Sequence, residues 1–463
     1  MDHELLILGA GPGGYEAAIR AAQLGLNVGL IERDAVGGTC LNRGCIPTKT
    51  LLHDAGPGAD FAALGARKEQ VVSTLRQGVE GLLKKRRVTV YRGTGVLTDG
   101  HTIEVDGQAV TGEKLLLAPG SRPALPPVEG IGLALTSDDL LHEPRPLESL
   151  LILGGGVIGV EMAAFYAATG TKVTIVEAQE RLLPQMDREI SQNLQMIFKR
   201  QGMGVHTRAL ARRISEGGEG VVMELDGGET LTASAVLAAV GRRPNTDGLC
   251  APGVALDMER GFIRVNERFE TSLPGVYAIG DAIGGMMLAH VASAQGLTVV
   301  HALAGEEAPL CLTAIPACVY VSPEIASVGL TQADCQQRGI EVKVGKALMG
   351  ANGRTLIAGG QRGFIKVVVS AENGRVLGAQ LMCERATDMI DSFTCLLYTS
   401  PRCEAACATC ANVRRVRPWR RHAGRWRRLF RPFMAKKWNC LTMNVSKMTR
   451  LWRLNGGFLW KVT

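Results

Sequence analysis

The sequence predicts an α/β protein with two Rossmann-like dinucleotide-binding units, and three observations predict it. A glycine loop with the spacing GxGxxG stands at Gly9, Gly11 and Gly14, and the same loop returns at Gly154, Gly156 and Gly159. Each loop follows a short apolar run and precedes an alanine-containing stretch of helical length. Each is also followed by an acid 23 residues after its first glycine, Glu32 in one copy and Glu177 in the other.

In the first unit, residues 5–8 form a continuous apolar run, as expected of a strand buried on both faces. Residues 15–24 read as a helix, Gly25 suits the position just past its end, and residues 27–31 read as the second strand. The second unit repeats the plan: strand 150–153, helix to residue 169, stop at Gly170, strand 172–176. In such a unit the first glycine permits the tight turn, the second lets backbone approach a pyrophosphate, and the third allows close helix–strand packing. The helix N-terminus offers unpaired N–H groups and a positive dipole end to the phosphates. The acid accepts hydrogen bonds from ribose hydroxyls. A carboxylate at Glu177 would repel a 2′-phosphate, so the second site is expected to prefer NAD to NADP.

Between the loops lies GGTCLNRGCIPTK, with Cys40 and Cys45. On a regular helix two residues five apart would have Cα atoms about 8.7 Å apart, and a disulfide wants less than about 7 Å. A bridge between them needs a distorted helix or a turn, and Gly44 and Pro47 are consistent with one. Two dinucleotide sites and a redox dithiol describe an electron relay.

Composition sets the outer limits. A chain of 463 residues, 46% apolar and 21% charged, suits about three domains of a globular protein. No run approaches the ~20 apolar residues of a membrane span, and the opening apolar run is too short for a secretory signal, so the expected location is cytoplasmic and no membrane partner is expected. The net charge of +8 hides two compositions. Residues 392–463 hold 16 Lys and Arg against the single acid Glu404, while the rest carries 36 bases and 43 acids. All five tryptophans and five of the twelve cysteines also lie in the tail.

The segment GGTCLNRGCIPTK resembles the redox-active disulfide of the class I pyridine nucleotide-disulfide oxidoreductases. The resemblance implies that Cys40 exchanges with substrate sulfur and that Cys45 faces a flavin as the reactive thiolate, its pKa lowered by a helix N-terminus or a nearby positive charge. It implies that Lys49 lies near the reactive flavin nitrogen and pairs with Glu161. VYAIGDAIGG resembles the family's second flavin motif, with Asp281 on the ribitol chain. LAHVASAQG resembles the helix under the flavin, with Ala289 near the ring, although members often show an acid where Gln295 stands. Ala118 and Gly120 fall in the family's ATG segment, with Pro119 in place of threonine. Gly95 matches a backbone contact to the adenine end of FAD, and Gly241, in AVGRRPN, the end of the NAD domain.

VYVSPEIASVGLT and GFIKVVVSAENGRVLGAQLMCERATDMI resemble the start and middle of the interface domain that makes the family's homodimer. The implied architecture is an FAD domain in two parts (1–145 and 266–312), an NAD domain (146–265) and an α+β interface domain (313–391) whose C-terminal end is truncated or replaced. The implied cofactors are FAD and NAD. Within the family, Glu177, RLLPQMD and GAQLMCERATDMID point to the members that oxidise dihydrolipoyl groups with NAD+. Their partner is the lipoyl domain of a 2-oxo acid dehydrogenase or glycine cleavage complex. The alternatives are another NAD(P)H-dependent disulfide reductase, of glutathione- or mercuric-reductase type, and a non-enzymatic flavin binder with a basic, nucleic-acid-binding tail.

The resemblance stops near residue 391. The family's catalytic base is a histidine in an HPHPT-like segment, and the only histidine after Asp391 is His422, in RRHAGR. CLLYTS resembles translated adapter sequence, so residues 392–463 are expected to be a chimeric or frame-shifted end, non-native or disordered. Cys403, Cys407 and Cys410 have the spacing of radical-type iron–sulfur sites without a matching barrel, so no metal is expected. Nucleic-acid binding by the basic, Trp-containing stretch is the weaker reading.

Overall fold

In the computed structural model, residues 1–399 are described apart from four single positions, 219, 309, 358 and 361. The expected features at Cys403, Cys407, Cys410 and His422, and nearly all of the basic tail, lie outside the described residues. The first sheet grows from apolar runs without a polar face. β1 (His3–Leu8) exposes only Glu4, and β2 (Val28–Glu32) is buried throughout. Between them α1 (Pro12–Gln23) opens on a proline, where the missing N–H has no intrahelical acceptor to lose. The chain continues through α2 (Gly38–Arg43), α3 (Cys45–Asp54), α4 (Phe61–Lys85), β3 (Thr89–Arg92), the hairpin β4 (Gly95–Leu97) and β5 (Thr102–Val105), and β6 (Gln108–Leu117). β6 does two jobs. Its first residues pair antiparallel with β5, and from Gly112 onward it pairs parallel with β1. The parallel order β3-β2-β1-β6 reverses direction at β1, and the crevice beyond such a reversal is where doubly wound sheets bind ligands.

β7 (Ser121–Pro123) and α5 (Ser137–His142) lead into the second unit: β8 (Ser149–Leu153), α6 (Val157–Ala168), β9 (Lys172–Glu177), α7 (Arg188–Arg200) and β10 (Gly204–Thr207). A meander of β11 (Ala211–Gly217), β12 (Gly220–Leu225) and β13 (Thr230–Ala233) precedes β14 (Ala235–Ala238). The parallel order is β10-β9-β8-β14, reversing at β8. The chain returns through β15 (Arg242–Pro244), which pairs with β7, and the small hairpin of β16 (Met258–Glu259) and β17 (Phe262–Ile263). From Leu249 onward the apolar side chains pack with Leu97 and Ile103 of the first unit. β18 (Val276–Ala278) then extends the first sheet beside β6, and α8 (Ala289–Leu303) lies on α1, with Gly296 against the Gly13 carbonyl.

The last part is antiparallel. β19 (Ala317–Val319), β20 (Ile325–Gly329), α9 (Gln332–Gln337), β21 (Val342–Leu348), α10 (Gly353–Ile357), β22 (Phe364–Ser370) and β23 (Val376–Met382) give the sheet order β19-β20-β23-β22-β21. One face (Val319, Ile325, Phe364, Met382) joins the core of the second unit. The other (Ala326, Val328, Ala379, Leu381) lies under α11 (Ala386–Thr399). α11 runs across residue 391, where the composition changes. Ile390, Phe393, Thr394 and Leu397 recur at helical spacing and present one inward face, so the chain still packs on the sheet six residues past that point. Among the described residues no helix is long and apolar enough to cross a membrane.

Candidate active site

Both glycine loops have the geometry that the spacing demands. Gly9 adopts φ +98° directly against the Ala118 carbonyl, and Gly14 lies against the Gly9 carbonyl, so a Cβ at either position would collide with backbone. Gly154 (against Ala239) and Gly159 (against Gly154) repeat both contacts. The middle glycines differ. A Cβ on Gly11 would lie 4.0 Å from the Cα of Gly38, whereas one on Gly156 would meet nothing within 4 Å. The first cradle is roofed by the redox segment; the second is open.

Glu32 and Glu177 end β2 and β9 as expected, and each ties down its own loop. Glu32 Oε2 accepts from Ala10 N at 2.8 Å, and Oε1 from Asp34 N at 2.9 Å. Glu177 accepts from Gly155 N and Gln179 N, both at 2.6 Å. The acids therefore shape the glycine turns in addition to the ribose role expected of them, and each carboxylate retains lone pairs for a sugar hydroxyl. Burial raises the pKa of Glu32 against the pull of Ala10 N–H and the nearby arginines.

Cys40 and Cys45 are joined as a disulfide with Cα atoms 4.7 Å apart. The helix breaks between them: α2 ends at Arg43, Gly44 takes φ −145° and ψ −111°, and α3 starts at Cys45. That break removes the excess length of the helical spacing. It also makes Cys45 the first residue of a new helix, where unpaired N–H groups favour a thiolate. Asn42 fixes the segment, its Nδ2 donating to the carbonyls of Ala35, Val36 and Gly38 at 3.4, 3.1 and 2.9 Å. Arg43 pairs with Asp34.

Lys49 stands four residues after Cys45 and so on the same side of α3. Its Nζ donates to Glu161 Oε2 at 2.7 Å. The Glu161 side chain, on α6, is only 3% exposed, so its charge requires this partner. Glu161 Oε1 accepts from Tyr320 N at 2.9 Å, and Lys49 Nζ sits 4.7 Å from the centre of the Tyr320 ring. One node thus joins the redox helix, the second unit and the antiparallel sheet. Cys318, two residues before Tyr320, is a contrasting sulfur: burial pushes its thiol up to about 12, which keeps it neutral.

Asp281 lies in the helical turn after β18, hydrogen-bonded to Ser121 Oγ. Arg242 Nε donates to the same Oγ at 2.7 Å and approaches Asp281 at 3.9 Å. Burial lowers the Arg242 pKa, and Asp281 and Asp138 oppose the shift. Gly280 N donates to Gln295 Oε1 at 2.7 Å, a bond that an acid at this position would accept equally well. Ala118 and Gly120 follow β6, with Ala118 N bound to Leu8 O at 2.8 Å. Ala289 opens α8, and Gly241 sits in open space at φ +124° before β15. Gly95 packs against Leu8 and Ile31 rather than a polar group.

The structure thus gathers Gly9, Gly11, Gly14 and Ala118 at the first crevice, with Gly38, two residues before Cys40, against Gly11, and Gly154, Gly156, Gly159 and Glu177 at the second. Lys49 and Glu161 join the two units. Sequence reasoning did not single out Asn42, Ser121, Arg242 or Tyr320. Arg242 carried a usable signal, a charge directly after an apolar strand and glycine; Tyr320 carried none, because its partners are remote in sequence.

The pattern described as "Pyridine nucleotide-disulphide oxidoreductase" matches residues 3–296, and that of the family's dimerisation domain matches residues 315–413. The dihydrolipoyl dehydrogenase of Geobacillus stearothermophilus is 39% identical over 416 residues, covering 84% of this chain and 88% of that protein. The enzyme of the same name from Thermus scotoductus is 40% identical over 425 residues, covering 85% and 91%. Among solved structures, the HOCl-induced flavoprotein disulfide reductase RclA from Escherichia coli aligns with a TM-score of 0.79 and 33% identity, covering 85% of this chain and 93% of that one. LpdA from Mycobacterium tuberculosis gives 0.78 and 28%, with the same coverage.

Proposed function

The chain belongs to the pyridine nucleotide-disulphide oxidoreductase family, and on that premise we propose that it oxidises the dihydrolipoyl group of a lipoyl domain, with NAD+ as the final acceptor. It is an FAD- and NAD-dependent oxidoreductase of the dihydrolipoyl dehydrogenase type. The match to the family's dimerisation domain supports a homodimer. The single observation that carries the reaction is the Cys40–Cys45 bridge, set at a helix break beside the first glycine loop and one turn from Lys49.

Both cofactors fit the residues present. At the first loop, two facing glycines leave room over Gly11, and Asp281 is held by Ser121 and Arg242 for a sugar hydroxyl chain. This is the place for FAD. At the second loop, Gly156 faces open space and Glu177 ends the strand without a basic neighbour in its hydrogen bonds, which suits NAD.

The protein's own steps follow from the sulfur geometry. A substrate thiolate attacks Sγ of Cys40, the S–S bond breaks, and its electron pair leaves on Sγ of Cys45. Cys45 is the better leaving group because it opens α3, whose unpaired N–H groups stabilise a departing thiolate. The second substrate sulfur attacks the mixed disulfide at the substrate's sulfur, closing the substrate disulfide and releasing Cys40. Lys49, held by Glu161, places a positive charge one turn from the Cys45 thiolate. When bound, FAD supplies the two-electron carrier between that thiolate and NAD+. The 463-residue sequence shows no base in the family's HPHPT-like pattern, so dihydrolipoamide turnover is expected to fall ~10²–10⁴-fold below that with such a base.

The test is a panel of dihydrolipoamide, glutathione disulfide and Hg2+ with both nicotinamides. The highest kcat/KM is expected for dihydrolipoamide with NAD+, and a preference for glutathione disulfide or Hg2+ with NADPH overturns the reading. The likeness to RclA favours one second reading, NADH-driven reduction of a disulfide through the same bridge.

A further inference from the structure

The segment RLLPQMD, residues 181–187, takes no part in the sulfur chemistry, yet it contains a buried acid and a strained backbone. Leu183 adopts φ +47°, a left-handed conformation that is uncommon for a residue other than glycine and requires the surroundings to enforce it. Leu182 and Leu183 are fully buried. In this conformation Leu183 N donates to Gly155 O at 2.9 Å, and Gly155 belongs to the second glycine loop. Met186 N closes the turn onto Leu183 O at 3.0 Å. Asp187 follows as the N-cap of α7, its Oδ1 accepting from Glu189 N at 2.9 Å.

The other oxygen of Asp187 faces a different part of the fold. Its Oδ2 accepts from Lys366 Nζ at 2.9 Å. Lys366 lies on β22, on the same inward face as Phe364 and Val368, with its side chain 10% exposed; that of Asp187 is 6% exposed. Glu189 accepts from Lys366 at 3.5 Å and also pairs with Lys346 of β21. A lysine buried on a strand face beside Phe364 and Val368 is a poor way to gain stability. Desolvation offsets much of the attraction, and an apolar pair would often serve as well. What a buried, geometrically defined pair supplies better than an apolar contact is register.

We propose that Asp187 and Lys366 are positioning residues for the pyridine nucleotide: the pair fixes the RLLPQMD strut against the antiparallel sheet, and the strut holds the Gly154–Gly159 loop in its binding shape. The inference rests on reading that loop as the NAD site. The bonded route from β22 to Gly155 runs through Lys366, Asp187, Met186 and Leu183. A route is not yet a coupling, so the test measures the coupling itself.

The full-length protein loaded with FAD is titrated calorimetrically with ADP-ribose, which cannot exchange electrons. Three variants are compared with wild type: Asp187→Asn, which keeps an N-cap; the double variant Asp187→Asn with Lys366→Met, which leaves no unpaired buried charge; and Lys366→Arg, which keeps the charge. The double variant is expected to bind ADP-ribose roughly tenfold more weakly, with wild-type FAD content and flavin absorption, and to do so even where its melting temperature returns to that of wild type. Lys366→Arg is expected to bind more tightly than the double variant. Affinity within twofold of wild type in the double variant overturns the strut and leaves the NAD site standing. Failure of the wild-type protein to bind ADP-ribose overturns the NAD-site reading and the strut with it.

Discussion

The two glycine-loop units share a backbone device and differ in what surrounds it. In both, the first glycine faces a neighbouring strand's carbonyl, the third faces the first, and a terminal acid takes the N–H inside the loop. The first unit is then closed over. Gly38 of the redox segment sits on Gly11, β18 widens the sheet, α8 packs along α1, and Ser121, Asp281 and Arg242 gather at its mouth. The second unit has no such roof above Gly156, and its restraint comes from below, through Leu183. The motif makes a phosphate cradle in each case. Its surroundings decide whether the occupant is a resident group or one that must come and go.

That contrast is broken most directly by adding bulk to each cradle. Gly38→Val places a branched side chain, in a left-handed conformation, against the Gly11 backbone. Loss of nearly all bound FAD, read from the flavin absorbance of purified protein, is the expected result. Gly156→Val adds bulk where nothing stands within 4 Å, so the chain is expected to fold, to retain its FAD, and to bind ADP-ribose at least about tenfold more weakly through lost backbone approach. Equal loss of flavin in both variants would remove the distinction between roofed and open loops.

A smaller effect sharpens the difference between the two acids. Glu177→Ala removes the carboxylate that would repel a 2′-phosphate, and the ratio of kcat/KM for NADH over NADPH with an artificial acceptor is expected to fall roughly tenfold. Unchanged selectivity would leave Glu177 with only its bond to Gly155 N.

The smallest effect concerns a tie that only the first unit has. His301 of α8 accepts from Arg20 Nε of α1 at 3.1 Å, and its Nδ1 lies 3.1 Å from Glu306. Burial and the Arg20 charge lower its pKa below the ordinary 6.5. The unfolded chain therefore binds the extra proton first, so this contribution to stability is present above pH 6.5 and is lost as pH falls through the folded value. His301→Gln is expected to flatten the fall in melting temperature between pH 7 and 5. A steeper fall in the variant would reverse the assigned sign.

Much of this was legible in the sequence because it is local. The glycine loops and their acids are set by backbone geometry over 23 residues, and the strand–helix–strand order follows from short apolar runs. The helix break at Gly44 was foreshadowed because a regular helix holds residues 40 and 45 too far apart to bridge. Tyr320 under Lys49, and Lys366 on Asp187, were not legible: each joins elements more than 150 residues apart, and nothing in a strand such as FIKVVVS says which acid will meet its lysine. The run of α11 to Thr399 was hidden for another reason. Reading the tail by its charge and tryptophan content obscured Phe393, Thr394 and Leu397, which continue the spacing of Ile390 and still face the sheet.

The central claim is that one disulfide, at the N-terminus of α3, exchanges electrons with a flavin seated on the first glycine loop. Anaerobic titration of the FAD-loaded protein with two electron equivalents per subunit tests it most directly, with absorption followed beyond the flavin bands. A long-wavelength thiolate-to-flavin charge-transfer band that develops in the wild-type protein on reduction, is absent from Cys45→Ser, and already stands in Cys40→Ser before any reductant is added, is the expected result. Bound flavin that is bleached by the same titration with no such band, while both cysteines stay oxidised, would contradict it.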